Sequence, residues 1–535
     1  MKSTHFAVSG SGRVALPGAK ATGRANANEV LEVTLKLRRK KELPDLSGRP
    51  AHVMTRTDLA THYGASQEDI DKVISTFGAL GLKSVASSVA TRTVRLSGTV
   101  AAVEKAFMVK LFNYTHSQGH YRGRVGLVHA PMGVKDIVVG VFGLDNRRVA
   151  HRKPHVPLNR SRAKHPGSIP PSWYTPAELA ARYQFPPGDG SGQAVGLLEF
   201  GGGYFESDLK HFCTLAKLST PTVKAISTDG TPTASKDGQE GEVMLDVEVV
   251  AGVCPKATIL VYFAEFTEQG WITALDAAMQ DQANDPSVVS VSWGYAEDAL
   301  IWTEQAMTQV NETLKDAANL GITVCIAAGD DGSSDGITDG GAHVDFPASS
   351  PFVLAVGGTT IPTKGGPLPD IVWKEGDGLR ADNGGSTGGG VSSVFGRPPW
   401  QESLTVTSVN PGAILGRCVP DISANADWVA SPYLLVVDGQ AQGNGGTSAA
   451  TPLVASLVAL MNAARGPGKR VGYLTPVLYQ NAVGKAVSVG SIACSDVASG
   501  DNTTAHTGGY SAAAGYDAAS GWGTPIGVQL LKSIP

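Results

Sequence analysis

A chain of 535 residues with 42% hydrophobic and 17% charged residues exceeds what one core organises, so it reads as a globular protein of two domains or more. Its apolar runs stop short of a membrane span, and its net charge of −4 conceals a division: residues 1–165 carry 27 Lys+Arg against 11 Asp+Glu, a surplus of +16, while the remainder carries −20. Basic residues interleaved with folded-looking pattern argue against a nucleic-acid tail and for attraction between a cationic front and an anionic back, which acid would weaken.

The first thirty residues lack the apolar stretch of a secretory signal, so no export route is legible there. EVLEVTLKLRR (29–39) alternates as a half-buried strand does. QEDIDKVISTFGALGL (67–82) has helical spacing at Ile70, Val73, Ile74, Phe77 and Leu80. Strand RTVRLSGTV, helix-into-strand AAVEKAFMVKLFNY, strand YRGRVG and a closing helix over KDIVVGVFGLDN complete a small α+β unit spanning 1–150. It holds no catalytic constellation and suits a chaperone or inhibitor. Residues 147–171 are basic, Pro-rich and aperiodic, which marks an exposed linker over 151–171.

From 172 to 535 short apolar strands alternate with helices: AVGLLEF (194–200), TILVYFA (258–264), VVSVSWG (288–294), GITVCIAAGD (321–330) and FVLAVGG (352–358). This predicts an α/β domain, a mostly parallel sheet covered by helices on both faces, with ligands at the carboxyl ends of the strands. Cys213, Cys254, Cys325, Cys418 and Cys494 are odd in number and dispersed, so they read as core residues rather than a disulfide framework.

EGEVMLDVEVVAGV (240–253) predicts a mostly apolar helix that nevertheless sets Glu242 and Asp246 four residues apart on one face. Like charges at that spacing cost an isolated helix roughly 0.2–0.5 kcal/mol, so a partly buried pair sharing a proton is the better reading. Glu240 and Glu248 fall on other faces and read as surface. Asp330 ends an apolar strand and stands at the functional rim, where a protonated carboxyl could donate to an oxyanion; Asp331 and Asp335 read as turn residues. Finally, GNGGTSAATPLVASLVAL (443–460) is a glycine turn delivering Thr447 and Ser448 to a helix, with Pro452 expected in its first turn. A serine at a helix N-terminus is favoured as an alkoxide. No histidine stands in a glycine-flanked helix start; His211, His343 and His506, the three beyond residue 165, read as structural.

GEVMLDVEV, AAGDDGSSDG and GGTSAATP, in this order and after the opening YTPAELAARYQFP, resemble the sedolisins, or serine-carboxyl peptidases, and most closely the kumamolisin branch. The resemblance covers nearly the whole chain. It implies a subtilisin-like fold preceded by an activation propeptide bound intramolecularly. It also implies roles: Ser448 as nucleophile, Glu242 as general base, Asp246 as its partner, Asp330 as oxyanion acid, and Glu199 with Trp293 extending the hydrogen-bond network. One structural Ca²⁺ is implied at Asp496 and Asp517 with the carbonyls of Val497, Ala513 and Gly515, a hard-oxygen donor set. Ser292 and Gly294 would pair with substrate backbone, and Asp345 would favour a basic side chain. A carboxylate base still accepts a proton at a pH of about 4, where an imidazole is mostly protonated, so activity is expected in acid. The reading is therefore an acid-active, self-processing endopeptidase, extracellular and monomeric, acting on protein or peptide substrates without nucleic-acid or membrane partners. The alternatives are a tripeptidyl aminopeptidase of the same family and a catalytically idle, calcium-stabilised binding protein.

Overall fold

The computed structural model describes residues 4–535 apart from 51, 118, 150–168, 299, 368, 383, 506 and the side chain of 382. The linker expected over 151–171 thus falls almost wholly outside the described residues, as does His506.

The front of the chain is organised by a four-stranded antiparallel sheet. Its elements are β1 (Val30–Leu37), α1 (Gln67–Gly78), β2 (Lys83–Ser88), β3 (Thr93–Thr99), α2 (Val100–Phe107) and β4 (Val138–Phe142), with sheet order β2-β3-β1-β4. Ser66 starts α1 by accepting the Asp69 N–H, and Thr99 starts α2 by accepting that of Ala102. Leu31, Val33, Leu35 and Leu37 alternate along β1 and pack with Ile70, Val73 and Phe77 of α1 and Val103 and Phe107 of α2. The helix expected over KDIVVGVFGLDN is instead strand β4, paired with β1 through Leu35↔Val141 and Lys36↔Gly140. Its β-branched residues fit a pleated surface, and a helix there would have left that edge of β1 bare.

The intervening face of β1 is polar, yet Thr34 and Lys36 are 2% and 1% exposed. They are covered by the second half of the chain, whose elements follow: β5 (Ala194–Glu199), β6 (Thr222–Ser227), α3 (Glu240–Val253), β7 (Thr258–Phe263), α4 (Glu268–Gln280), β8 (Val288–Val291), α5 (Glu304–Asn319), β9 (Thr323–Ala327), β10 (Leu354–Thr360), β11 (Ile371–Val372), β12 (Ile422–Asn425) and α6 (Thr447–Arg465). The front sheet lies against α4 and α5. Gln269 Nε2 donates to Thr34 Oγ1 at 2.9 Å, and the Gln305 amide takes both the N–H and the C=O of Val141. Cations from the front meet carboxylates from the back: Arg13 with Glu268 at 2.8 Å, Lys36 with Asp276 at 2.7 Å, Arg39 with Asp316 at 2.9 Å and Arg56 with Asp285 at 2.5 Å. The charge division of the sequence is thus spent at an internal seam.

The back half is an eight-stranded sheet in the order β6-β7-β5-β8-β9-β10, with β12 beside β10 and β11 at the end. Every pairing is parallel except β10 with β11. α3 and α6 cover one face and α4 and α5 the other, as the two separate hydrophobic cores show. All five cysteines are buried and free. Helix α6 is apolar enough to span a membrane, but 89% of its apolar window is buried, which makes it the core helix of this sheet.

Candidate active site

The carboxyl ends of the adjacent strands β5, β8 and β9 deliver Glu199, the Ser292–Gly294 segment and Asp330 to one rim. Helix α3 brings Asp246, with Glu242 buried one turn earlier on the same helix, and the start of α6 brings Ser448. Sequence-distant residues therefore converge, and all are at most 7% exposed among those with side chains.

Helix α3 is buried from Glu242 to Val253 on every face. That overturns the surface reading of Glu248, whose Oε2 accepts the Val436 N–H at 2.7 Å and whose carboxyl burial raises well above its usual range. Glu240 is only partly exposed and accepts the N–H of Gly238. Asp246 is wholly buried and receives the Ser292 hydroxyl at 2.8 and 2.9 Å from its two oxygens. Glu199 accepts the Trp293 indole N–H at 3.0 Å.

Pro452 is not in the first turn of α6 but inside the helix. Its missing N–H leaves the carbonyl of Ser448, four residues back, without the helical bond it would otherwise accept. Ser292 Oγ lies 3.2 Å from that carbonyl, and Ser448 Oγ in turn donates to the Ser292 carbonyl at 3.4 Å. The proline thus ties the helix start to the strand end, and Ser292 connects Ser448 to Asp246. The side-chain role of Ser292 was not legible in the sequence, where it stood only for backbone pairing.

On the opposite side Thr447 donates both its N–H, at 2.8 Å, and its hydroxyl, at 2.7 Å, to Asp330 Oδ1. The entry to α6 requires Gly446: its φ is +87°, and a Cβ there would stand 2.7 Å from Asp330 Oδ2. Arg380 Nη1 approaches the same Oδ2 at 3.7 Å. Asp331 is not a turn residue but a buried carboxylate holding Arg380 through Nε at 2.9 Å and Nη2 at 2.5 Å. Asp335 is also buried, in the left-handed region at φ 45°. Burial and the neighbouring Asp331 push its carboxyl up to about 8. Asp345 lies against Gly294, where a Cβ would come within 1.9 Å of its Oδ1, so a side chain there would have to displace the Asp345 carboxyl. Burial and the neighbouring Asp335 raise the Asp345 carboxyl well above its usual range, against the opposing pull of Arg380. His343 is structural as expected, bound between Asp298 at 2.7 Å and Asp339 at 2.9 Å.

At the tail, Asp496 Oδ2 accepts the Gly515 N–H at 3.0 Å and Asp517 Oδ2 that of Ala513 at 3.1 Å, so both carboxylates address one glycine-rich loop. Asp517 is 4% exposed, and burial raises its carboxyl despite bonds from Ala513, Ala519 and Ser520. Among the described residues no group of three or more His, Cys, Asp or Glu side chains could hold a metal. A cation here would rest on two carboxylates and backbone carbonyls, all hard oxygen donors, and a positive charge would relieve the buried Asp517. The donor set fits Ca²⁺.

A buried serine at the N-terminus of a core helix, tied to a buried carboxyl group at the rim of a parallel sheet, suits a serine-carboxyl peptidase on a subtilisin-like fold. The subtilase family model matches residues 226–523 and the pro-kumamolisin activation domain residues 17–147. The chain is 41% identical to kumamolisin of Bacillus sp. (strain MN-32) over 98% of its own length and 96% of that protein's. It is 27% identical to tripeptidyl-peptidase sed5 of Aspergillus fumigatus over 99% and 97% of the respective lengths. The solved structure of Pseudomonas sedolisin, a serine-carboxyl proteinase complexed with two molecules of pseudo-iodotyrostatin, superposes with a TM-score of 0.58 at 28% identity, covering 68% of this chain and 97% of that one. This chain belongs to the subtilase family, in its kumamolisin-like sedolisin branch, and carries an intramolecular activation propeptide.

Proposed function

We propose that the protein is an acid-active endopeptidase, made as a zymogen, in which Ser448 attacks the peptide carbonyl while Glu242 takes its proton. Asp246 orients Glu242, and Glu199 with Trp293 extends that network. Asp330, when protonated, donates to the tetrahedral oxyanion, and water then releases the acyl group from Ser448. The observation that carries this reading is the Asp246–Ser292–Ser448 linkage at a helix N-terminus, with Asp330 on the far side of Thr447. Acid operation is supported by the cleft's other carboxyls: Asp335, Asp345 and Glu297 are all raised by burial, so this environment favours protonated acids.

Ser292 and Gly294 offer backbone to an extended substrate, and Asp345 beside Gly294 would favour a basic side chain. One Ca²⁺ held by Asp496 and Asp517 with the carbonyls of Val497, Ala513 and Gly515 would tie the tail loops together, its chemistry being electrostatic and structural. We place the propeptide at 1–150, the cut within 151–171 and the catalytic part at 172–535, with the product a secreted monomer.

The test is hydrolysis of a quenched, N-acetylated peptide from pH 3 to 8 after acid incubation, with the chain's own shortening followed on a gel. Wild type is expected to shorten and to cleave internally in acid, and Ser448→Ala to do neither, with a loss of about 10⁶ in rate. An optimum near pH 8 would remove Glu242 as base. The similarity to a named tripeptidyl-peptidase favours one second reading. Release of tripeptides from a free N-terminus, with the acetylated peptide untouched, would establish it instead.

A further inference from the structure

At the amino ends of the parallel strands, away from the cleft, two adjoining hollows of about 450 and 730 Å³ share Asp285, Gly468 and Arg470. Lys224, Lys256 and Arg470 line the first; Arg49, Arg56, Arg465, Lys469 and Arg470 line the second. Residues 166–535 hold only 17 Lys+Arg against 37 Asp+Glu, so it is notable that Lys224, Lys256, Arg465, Lys469 and Arg470 all gather here. Arg49 and Arg56 come from the propeptide, which makes the larger hollow a junction between the two halves.

The positive charge is not balanced. Asp285 takes Arg56 and Arg470, each at 2.5 Å, and Asp189 takes Lys256 at 2.7 Å. Arg465 spends its N–H groups on the carbonyls of Lys469, Ile534 and Pro535, and Arg49 on those of Arg470 and Pro535. Nη2 of Arg56 is buried with no hydrogen-bond partner, and Lys469 is exposed with no ion pair among the described residues. Burial and the like charge of Arg465 together push the Arg49 guanidinium below its ordinary value. Such an arrangement carries a standing cost that an anion would remove.

We propose that this junction is a binding site for a compact polyvalent oxyanion of the di- or triphosphate class, bridging Arg49 and Arg56 of the propeptide to Arg465, Lys469 and Arg470 of the catalytic part. Planar guanidinium forks match phosphate oxygens in pairs, and the cations converge on a hollow rather than a flat stripe, which suits a small anion over a nucleic-acid strand or a membrane. A ligand that binds only the closed zymogen stabilises it by mass action, so the anion slows release of the propeptide. Bare phosphate chains and nucleotide tails share this chemistry.

The experiment uses the full chain carrying Ser448→Ala and shown to be whole on a gel, so its readout is binding to the intact chain and does not depend on the proposed mechanism. Its thermal midpoint is followed during titration with tripolyphosphate at constant ionic strength. A saturable rise is expected, with the half-saturating concentration about three- to five-fold higher in a second chain that also carries Lys469→Gln, each chain being read against its own ligand-free midpoint. Adenosine triphosphate in a parallel titration separates the sources: equal affinity identifies the phosphate chain as the ligand, tighter binding a nucleotide. A rise that sodium chloride reproduces at matched ionic strength, or a Lys469→Gln titration identical to the parent, overturns the proposal.

Discussion

Carboxylates serve the seam and the cleft in opposite ways. At the seam Glu268, Asp276, Asp316 and Asp285 each face a cation from the propeptide. In the cleft Asp330, Asp331, Asp335 and Asp345 crowd around the guanidinium of Arg380. A carboxyl among its own kind gains from protonation, whereas one facing an arginine gains from ionisation. Asp285 shows the second case: burial pushes it up, but hydrogen bonds from Arg470 and Arg56 outweigh that and hold it below its ordinary value. Asp335 shows the first, at about 8. The Lys36–Asp276 pair is intermediate, since burial lowers the ammonium and raises the carboxyl even in contact, so desolvation rather than attraction dominates there. Burial thus raises the carboxyls of Asp335 in the cleft and Asp276 at the seam alike, while Asp285 goes the other way.

The strongest way to break this contrast is at the cleft. Asp330→Ala removes the proposed oxyanion donor and is expected to cost about 10²–10³ in kcat with little change in KM; equal kcat would show that the acid cluster only shapes the pocket. Next comes the seam. Lys36→Met in the Ser448→Ala zymogen leaves Asp276 buried without its cation and should cost about 3–5 kcal/mol in a denaturant titration. Adding Asp276→Leu should recover most of it, because two apolar groups replace a pair that burial disfavours.

Smaller effects sharpen the comparison through pH. Because the folded Asp335 carboxyl titrates near 8 and an unfolded one near 3.8, its contribution is present below 3.8 and lost as pH rises toward 8. Asp335→Asn should flatten that decline in a series of thermal midpoints from pH 4 to 8, and a slope unchanged from wild type would place the charge elsewhere. The smallest effect is at His343. Burial lowers it, but Asp298 and Asp339 raise it from 6.5 to about 9, so its stabilisation is complete below 6.5 and lost as pH rises through about 9. The wild-type advantage in thermal midpoint over His343→Gln should follow that course.

Local pattern carried much of this protein. Alternating and continuous apolar runs set out the α1, β1 and β3 segments and the parallel strands β5, β7, β8, β9 and β10, because each period matches one backbone geometry. The glycine turn before Ser448 and the paired acids of α3 were legible for the same reason: a Gly at positive φ and a charge inside an apolar helix both stand out in the chain itself. The bipolar charge distribution foretold a seam, since opposite net charges on two halves attract whatever their detailed fold.

Tertiary structure decided what depends on residues distant in sequence. KDIVVGVFGLDN became a strand because β1 had an open edge, a demand no local window contains. Glu248, Asp331 and Asp335 went inside because Val436 and Arg380 were there to meet them or crowd them. Ser292 acquired a side-chain role because α3 brings Asp246 to its hydroxyl and Pro452, in another element, withholds an N–H from the Ser448 carbonyl beside it. The order of apolar and polar residues along the chain sets which backbone form each segment can take. Which polar group faces which is set by packing, where the cost of burying an unpaired charge selects among partners that the chain order does not rank.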